Sequence, residues 1–386
     1  MAIAPADVPD IGADTGRFTL PITCQINVPL LNGFTVLNLN GSVDIQGIAP
    51  VQLAPGQPFY LSQGSGALTL PSWLSTLGGL VAVNRADATV TQLNIQATGS
   101  TPDTINVADL QPLVADNVPI VGGKPITVGL PKTGTFNIGP YKAPQSGVTQ
   151  LKFVSAQAKV QLRSPWGLNL QVIANCKAAA SAGGGASLLS ISVGGAPNSS
   201  TVNFQNQPLN FHPAASNQLV GIVNAPYTCT IGGSPFNVGI AVSADIPLTV
   251  PKGGNLPFSN ASGALIIPAA TVDQFIAQGK TSIGGKVTSL TLRVQGGSPD
   301  NKNVIPAAGI TIPTTPLVSG QKVIIPLPQT GTLSAGPFTP TSGSSAVVVG
   351  LGSAAGTLTF GGTTGSVSAT CAQPSPDALL VDAAVV

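Results

Sequence analysis

The sequence predicts a mainly β protein with two homologous β-sandwich or Greek-key barrel-like domains in tandem, each with one short helix. Three observations lead to this prediction. The 386 residues contain no Glu, a good helix former, and all 13 acidic residues are Asp, a poor one. Short apolar runs alternate with polar residues and are separated by many of the 46 Gly and 35 Pro residues. A long internal repeat divides the chain into two similar units.

The repeat rests on segments that share one register over a long stretch of chain. Three segments recur 197 residues later in the same order: SGALTLP at 65–71 as SGALIIP at 262–268, VTQLNIQATGSTPD at 90–103 as VTSLTLRVQGGSPD at 287–300, and LPKTGTFNIGPY at 130–141 as LPQTGTLSAGPF at 327–338. Outside this block the offset drifts slightly, as loops allow. The duplication therefore predicts two units of the same fold.

Each unit begins and ends on a cysteine. PITC at Cys24 matches PYTC at Cys229, and NCKA at Cys176 matches TCAQ at Cys371. Four cysteines allow three pairings, and the duplication favours Cys24 with Cys176 and Cys229 with Cys371. Four free, buried thiols are the alternative. Metal binding is disfavoured because no CxxC and no Cys/His cluster occurs.

The repeat and the Gly- and Pro-rich segments give the expected organisation of the chain. Its parts are an N-terminal extension (1–20), a first β domain (21–177), a Gly/Ala-rich linker and connector (178–225), a second β domain (226–373) and a C-terminal apolar tail (374–386). One helix per unit is expected, from Pro71 in PSWLSTLGG and from Pro268 in PAATVDQFIAQG, because Pro favours the first turn of a helix and Gly its end. The run LLSISVGG is either strand or extended connector.

Composition limits the function classes. Charged residues are only 7% of the chain, against roughly 25% in typical soluble domains. The net charge of +2 comes without a basic cluster, which argues against nucleic acid as a partner. No stretch reaches the length of about 18 apolar residues that a membrane span needs. The N-terminus lacks the pattern of a signal peptide, so we expect that one has been removed or was never present.

The residues that carry chemistry are few and isolated. The single histidine, His212, precedes Pro and has no nearby Cys or carboxylate. Asp103 and Asp300 recur at equivalent positions in turns, where Asp bonds its own backbone. A calcium site at 300–303 is opposed by Lys302 and by the absence of Glu. The sequence therefore predicts no catalytic, cofactor-binding or metal-ligating residue and no cofactor.

Aromatic residues offer a second, weaker candidate site. A sugar-stacking platform would use Trp73, Trp166, Tyr60, Tyr141 and Tyr227, but these are scattered along the chain, so core or rim positions are favoured.

The motifs LPKTG at 130–134 and LPQTG at 327–331 match the sorting signal that sortases cut. A sortase substrate needs a following apolar segment and a basic tail, but no Lys or Arg occurs after Lys322. Both copies lie at equivalent positions of the repeat. A shared turn, in which Pro ends one strand and Gly supplies the turn, is the favoured interpretation.

Five short segments carry a resemblance to a known family: YTC at 227–229, ADIPLTVPKGG at 244–254, SGAL, the GPF of GTLSAGPF, and SATC at 368–371. Through these segments the units resemble a family of secreted actinobacterial domains of unknown function. The first unit departs from the pattern with ITC and APVQLAPGQ. The resemblance implies exported, two-cysteine β modules, often in tandem, and brings no catalytic residue.

These observations favour a non-enzymatic, extracellular structural or adhesive protein of an actinobacterial surface or matrix. Low charge and an apolar tail suit self-association into a homo-oligomer or polymer, with cell-envelope components as further partners. The alternatives are a virion structural or decoration protein of an actinobacterial phage, and a carrier of a lipid or other apolar ligand. A carrier requires a pocket of at least about 300 Å³.

Overall fold

The protein is built mainly of β-strands: among the residues that the structure describes, 62% lie in strands and 6% in helices. This confirms the mainly β prediction. The structure, a computed structural model, describes residues 3–29, 35–80, 82–131, 133–167, 169–179, 187–194, 202–205, 215–216, 218–219, 221–362 and 364–386. Below, the first half means the described residues up to Gly194, and the second half means those from Gly221 onward.

The first half contains a short 3-10 helix, two α-helices and a series of strands. In chain order these are the 3-10 helix (Pro5–Asp7), β1 (Gly12–Asp14), β2 (Phe18–Asn27), β3 (Thr35–Ala49), β4 (Gln52–Leu53), β5 (Pro58–Leu70), α1 (Ser72–Leu80), β6 (Arg85–Ala97), β7 (Thr104–Asn106), α2 (Val107–Leu110), β8 (Leu113–Pro119), β9 (Ile126–Leu130), β10 (Phe136–Lys142), β11 (Gly147–Arg163), β12 (Asn169–Ala178) and β13 (Ser187–Val193).

The connector and the second half continue the same kind of structure. Their elements are β14 (Ala215–Ser216), β15 (Gln218–Leu219), β16 (Ile222–Ile231), β17 (Ser234–Pro247), β18 (Thr249–Val250), β19 (Ser259–Ile267), α3 (Ala269–Ala277), β20 (Ser282–Gln295), β21 (Gly297–Ser298), β22 (Asn301–Asn303), β23 (Ile310–Pro316), β24 (Val323–Leu327), β25 (Thr339–Pro340), β26 (Ala346–Phe360), β27 (Ser366–Cys371) and β28 (Ala378–Val385).

Both halves use the same antiparallel strand order. It is β9-β5-β3-β2-β12-β11-β6-β8 in the first half and β24-β19-β17-β16-β27-β26-β20-β23 in the second. The two end strands of each order contact each other. Each sheet therefore curls round on itself, with its apolar face inside.

One long strand in each half changes its partner midway. β11 pairs with β13 over its first residues and with β12 from Ser155 onward. β26 does the same with β28 and then β27. β13 and β28 also pair in parallel with β4 and β18. The run LLSISV and the C-terminal apolar run are thus strands of the sheets, and each repeat extends beyond the expected boundaries at 177 and 373.

Short strands join the two halves. β1 pairs on one side with β3 of the first half and on the other side with β16 of the second. In the connector, β14 pairs with β2 and β15 with β17. Ile3 and Val8 of the N-terminal extension pack on apolar residues of the second half. Consequently one hydrogen-bonded network and one buried apolar core run through both halves, and a division into two separate domains is not shown.

The predicted helices form where the sequence places them. α1 follows Pro71 and α3 follows Pro268. The first half has a further single-turn helix, α2, that was not expected. It begins after Asn106, whose side-chain oxygen accepts a hydrogen bond from Ala108 N at 3.2 Å. This is the capping interaction that Asn favours at a helix start.

Candidate binding surface

Two disulfides lie at the centre of the two sheets. Cys24 and Cys176 face each other on β2 and β12, with their Cα atoms 4.0 Å apart, and Cys229 faces Cys371 on β16 and β27 at 3.9 Å. These are the pairs that the sequence duplication favoured. Each bond joins a strand near the start of its half to one near the end. In the chain-entropy model, closing loops of 152 and 142 residues stabilises the fold by about 4–5 kcal/mol each.

The outer face above the first disulfide carries a row of side-chain amides. Inward positions such as Cys24 and Leu39 are buried, so their neighbours along each strand point outward. The register places five outward amides in line across five adjacent strands: Asn38, Gln25, Asn175, Gln157 and Gln92. We call these five residues the amide row.

Part of the amide row is held in place by its own hydrogen bonds. Gln157 Nε2 donates to Asn175 Oδ1 at 2.8 Å, and Thr91 Oγ1 donates to Gln157 Oε1 at 3.0 Å. The amides of Gln25 and Asn38 are exposed and have no hydrogen-bond partner among the described residues. The row therefore combines oriented amides with amides that are free to bind.

A concave surface of about 660 Å³ lies over part of the amide row, where Asn38, Gln25 and Asn175 line it. Its volume falls within the roughly 300–1,000 Å³ of ligand pockets. The next cross-strand row contributes further polar side chains to it, among them Asn40, Thr23, Lys177 and Ser155. Of the described residues that line this surface none is a carboxylate, and Lys177 is the one charged residue among them. The surface is therefore polar and almost neutral.

The second half has the same strands but not the amides. Its corresponding cross-strand row is Pro235, Thr230, Thr370, Ala355 and Ser289. None of these side chains has an amide, yet the pairing of the strands is the same in both halves. The amide row is thus a property of the first half and not a requirement of the fold.

The interior of the second half contains a small apolar cavity. Its volume is about 130 Å³, and its lining includes Phe258, Leu265, Phe275 and Leu292. This is well below the roughly 300 Å³ at which ligand pockets begin, so the cavity does not favour the carrier of a lipid.

Asp103 and Asp300, the two aspartates considered from sequence, each make hydrogen bonds within a turn. The Asp103 carboxylate accepts a hydrogen bond from Gln96 Nε2 at 2.9 Å, and the Asp103 backbone oxygen accepts one from Ala97 N at 2.8 Å. The backbone oxygen of Asp300 likewise accepts a hydrogen bond from Val294 N, at 2.7 Å. Both Asp residues thus belong to turns. His212 lies outside the described residues.

The calcium hypothesis at 300–303 does not fit the local contacts. Asn303 Oδ1 accepts hydrogen bonds from the backbone amides of Leu290 and Ile305, each at 3.1 Å. Lys302 Nζ lies in the same segment and donates to Gly336 O at 2.7 Å. Among the described residues no cluster of three metal-ligating side chains occurs, and none of their helices is long and apolar enough to cross a membrane.

The aromatic residues divide into core and surface. Tyr141 and Tyr227 are buried and donate hydrogen bonds to Ile95 O and Gly352 O at 2.9 and 2.8 Å. Burial raises the pKa of both phenols above its usual value. Trp166, by contrast, is 86% exposed at the turn between β11 and β12. The buried tyrosines cannot contact a sugar at the surface, so the hypothesis of a single sugar-stacking platform that includes them is wrong.

The described residues of the two LPxTG motifs, which exclude Lys132, share a strand end and the conformation of the closing glycine. β9 ends at Leu130 and β24 at Leu327, which are the first residues of the motifs. Gly134 and Gly331, which close them, have φ of +78° and +76°. Glycine adopts this left-handed conformation without strain. The repeated motif thus marks a turn at equivalent places in the two sheets.

Sequence reasoning missed the amide row, although a signal for it is present. In LNLN at 37–40 and in CQIN at 24–27, amides alternate with apolar residues, as expected of a half-buried strand. The alternation predicts that these amides face outward. It does not predict that strands far apart in sequence align them.

Comparison with known proteins gives a match in the second half. No curated protein and no solved structure matches the chain. The disulfide Cys229–Cys371 and most of the strands from β16 onward lie within the matched region. Over residues 226–380 the chain is similar to a family of unknown function (DUF6801).

Proposed function

We propose that this protein is a non-enzymatic, extracellular structural or adhesive protein of an actinobacterial surface or matrix, and that it self-associates. The observation that carries the proposal is the joining of two disulfide-bonded β-sheets into one body by β1, β14 and β15. A body of this kind suits a structural protein that resists mechanical force, or an adhesive protein that presents a binding surface.

The disulfides support an extracellular location. Bonds of this kind form and persist in oxidising environments, and they are rare in the cytosol. Both cross-strand pairs are buried, or nearly so, in the sheets. A chain with few charged residues can form few ion pairs. Disulfides supply stability in their place, and they need an oxidising compartment to form.

The distribution of exposed apolar residues supports contact with neighbours. Among the described residues, most large apolar side chains with high exposure belong to the first half: Trp73, Leu110, Val114, Val121, Val148, Val154 and Trp166, against Val318 and Val386 in the second. Exposed tryptophan is typical of residues that contribute strongly to protein interfaces. This asymmetry supports self-association through the first half.

Light scattering after size-exclusion chromatography, over a series of protein concentrations, tests the proposal. We expect species larger than the 38.3 kDa monomer at high concentration. Trp166→Ser should shift the equilibrium toward monomer because it removes the most exposed of these side chains. The matched control is Val318→Ser, an exposed apolar residue of the second half, and should leave the size unchanged. A strictly monomeric wild-type protein would contradict self-association.

A further inference from the structure

We propose that the concave surface over the amide row binds a neutral, hydroxyl-rich polysaccharide. The inference deepens the adhesive role and rests on it, because an adhesive protein needs a partner on the surface to which it adheres. It is carried by the amide row, the shape above it and the absence of the row from the second half.

Hydrogen-bond chemistry selects the ligand class. A primary amide presents two donors and an acceptor in one plane, and a hydroxyl group both donates and accepts. Gln157 and Asn175 are held by their mutual hydrogen bond, while Gln25 and Asn38 are exposed. A sugar chain therefore meets groups that match its hydroxyls in both directions.

Charge excludes the common alternatives. Nucleic acid and anionic polymers bind through several Lys or Arg residues, whereas this surface has Lys177 alone. An apolar ligand would leave the amides without partners, which costs free energy. Neutral hydroxyls satisfy the amides, and they can also accept a hydrogen bond from the amino group of Lys177.

The spacing of the amides suits a polymer. Neighbouring strands lie about 4.8 Å apart, so five strands place the row along about 19 Å. A chain that crosses the strands meets Asn38, Gln25 and Asn175 in the concave surface, and it meets Gln157 and Gln92 only if it continues beyond that surface along the row. A single small sugar would reach only part of the row.

The second half shows that the amides are not needed to build the sheet. Thr230 and Thr370 occupy the positions of Gln25 and Asn175 in the same strand pairing. The equivalent face of the second half therefore serves as a control within the same chain, because it has the same strand pairing and lacks the amides.

Binding of the full-length protein to polysaccharides tests the inference. Cellulose, chitin, glycogen, mannan and arabinogalactan are the neutral probes, and polygalacturonate and heparin are the anionic ones. We expect saturable binding to at least one neutral probe that persists at high salt. Gln25→Ala/Asn175→Ala should weaken it about tenfold or more, because two hydrogen-bonding groups are lost. Thr230→Ala/Thr370→Ala should bind as the wild type does.

The outcomes separate this inference from the proposed function. If no neutral probe binds, if only anionic probes bind, or if both double variants lose affinity equally, the amide row is not a polysaccharide site. Self-association measured by light scattering is independent of that result. Should Gln25→Ala/Asn175→Ala fail to fold, as judged by circular dichroism, the single variants Gln25→Ala and Asn38→Ala replace it, since both side chains are exposed.

Discussion

Gly221 shows how closely the backbones of the two halves approach. A Cβ atom added at this residue would lie 2.0 Å from the backbone oxygen of Asp14 and 2.6 Å from the backbone carbon of Thr15. These contacts involve backbone, so a side-chain rotation does not relieve them. Only glycine fits at this point, where the chain enters β16 beside the end of β1. One residue type therefore permits the junction between the halves.

Gly221→Ala should destabilise the protein by about 2 kcal/mol or more, because overpacking against fixed backbone forces the strands apart. The free energy of unfolding from urea titration measures the effect. Gly122→Ala is the matched control, since a Cβ atom there meets nothing within 4 Å, and it should change stability little. If Gly221→Ala is as stable as the wild type, the backbone at the junction can shift to accept a Cβ atom without cost.

At the scale of the element, the disulfide-bonded strand pair is the repeated unit of construction. β2 and β12 in the first half, and β16 and β27 in the second, hold the cysteines directly opposite each other. In the first half this pair also supports the middle of the amide row, through Gln25 and Asn175. Stability and the candidate surface thus depend on the same two strands.

Cys24→Ala/Cys176→Ala should lower the free energy of unfolding by about 4 kcal/mol, because the unfolded chain regains the freedom of a long loop. Urea titration under non-reducing conditions measures it. Cys229→Ala/Cys371→Ala removes a bond that closes a loop of similar length, 142 against 152 residues, so the free energy of unfolding should fall by a similar amount. If both double variants unfold at the same urea concentration as the wild type, the disulfides do not stabilise the fold by restricting the conformational freedom of the unfolded chain.

Element by element, the sequence predicted what repeats and what alternates. The helices after Pro71 and Pro268, the fold class and the cysteine pairs could be read from the pattern, because each depends on local residues or on the duplication. The strands β1, β14 and β15 could not be predicted from the sequence pattern. They have two or three residues each, and their partners lie far away in sequence, so no local period reports them. The amide row was missed for the same reason.

At the scale of the whole molecule, polar contacts join strands of opposite halves. Gln150 of β11 donates through Nε2 to the carboxylate of Asp382 in β28. Gln52 of β4 donates to Pro376 O. Asn224 Nδ2 of β16 donates to Pro9 O at 2.8 Å. These contacts accompany the continuous core, so we expect the two halves to unfold together.

Asp382 should make the contact between the halves sensitive to pH. Burial raises the pKa of its carboxyl group, and the hydrogen bond from Gln150 and the charge of Lys152 oppose this only in part. The folded protein therefore holds the proton more tightly than the unfolded chain. The resulting stability is fully present below the ordinary pKa of about 3.9 and is lost as the pH rises through the folded-state pKa.

Asp382→Asn removes this titration, so its stability should fall less than that of wild type between about pH 4 and pH 7. Urea midpoints measured across that range test it. We expect the two pH profiles to diverge as the pH rises, with the variant unfolding at the higher urea concentration at neutral pH. Parallel profiles would mean that Asp382 is not the group responsible.

The position of β1 has a consequence for the order in which the chain is made. A ribosome releases β1 early, but its partner β16 begins only at Ile222. Until then β1 has β3 as its partner on one side only. An unpaired strand edge during synthesis invites aggregation. We therefore expect a nascent or truncated chain that ends before β16 to need a chaperone, and the full chain to become independent of it.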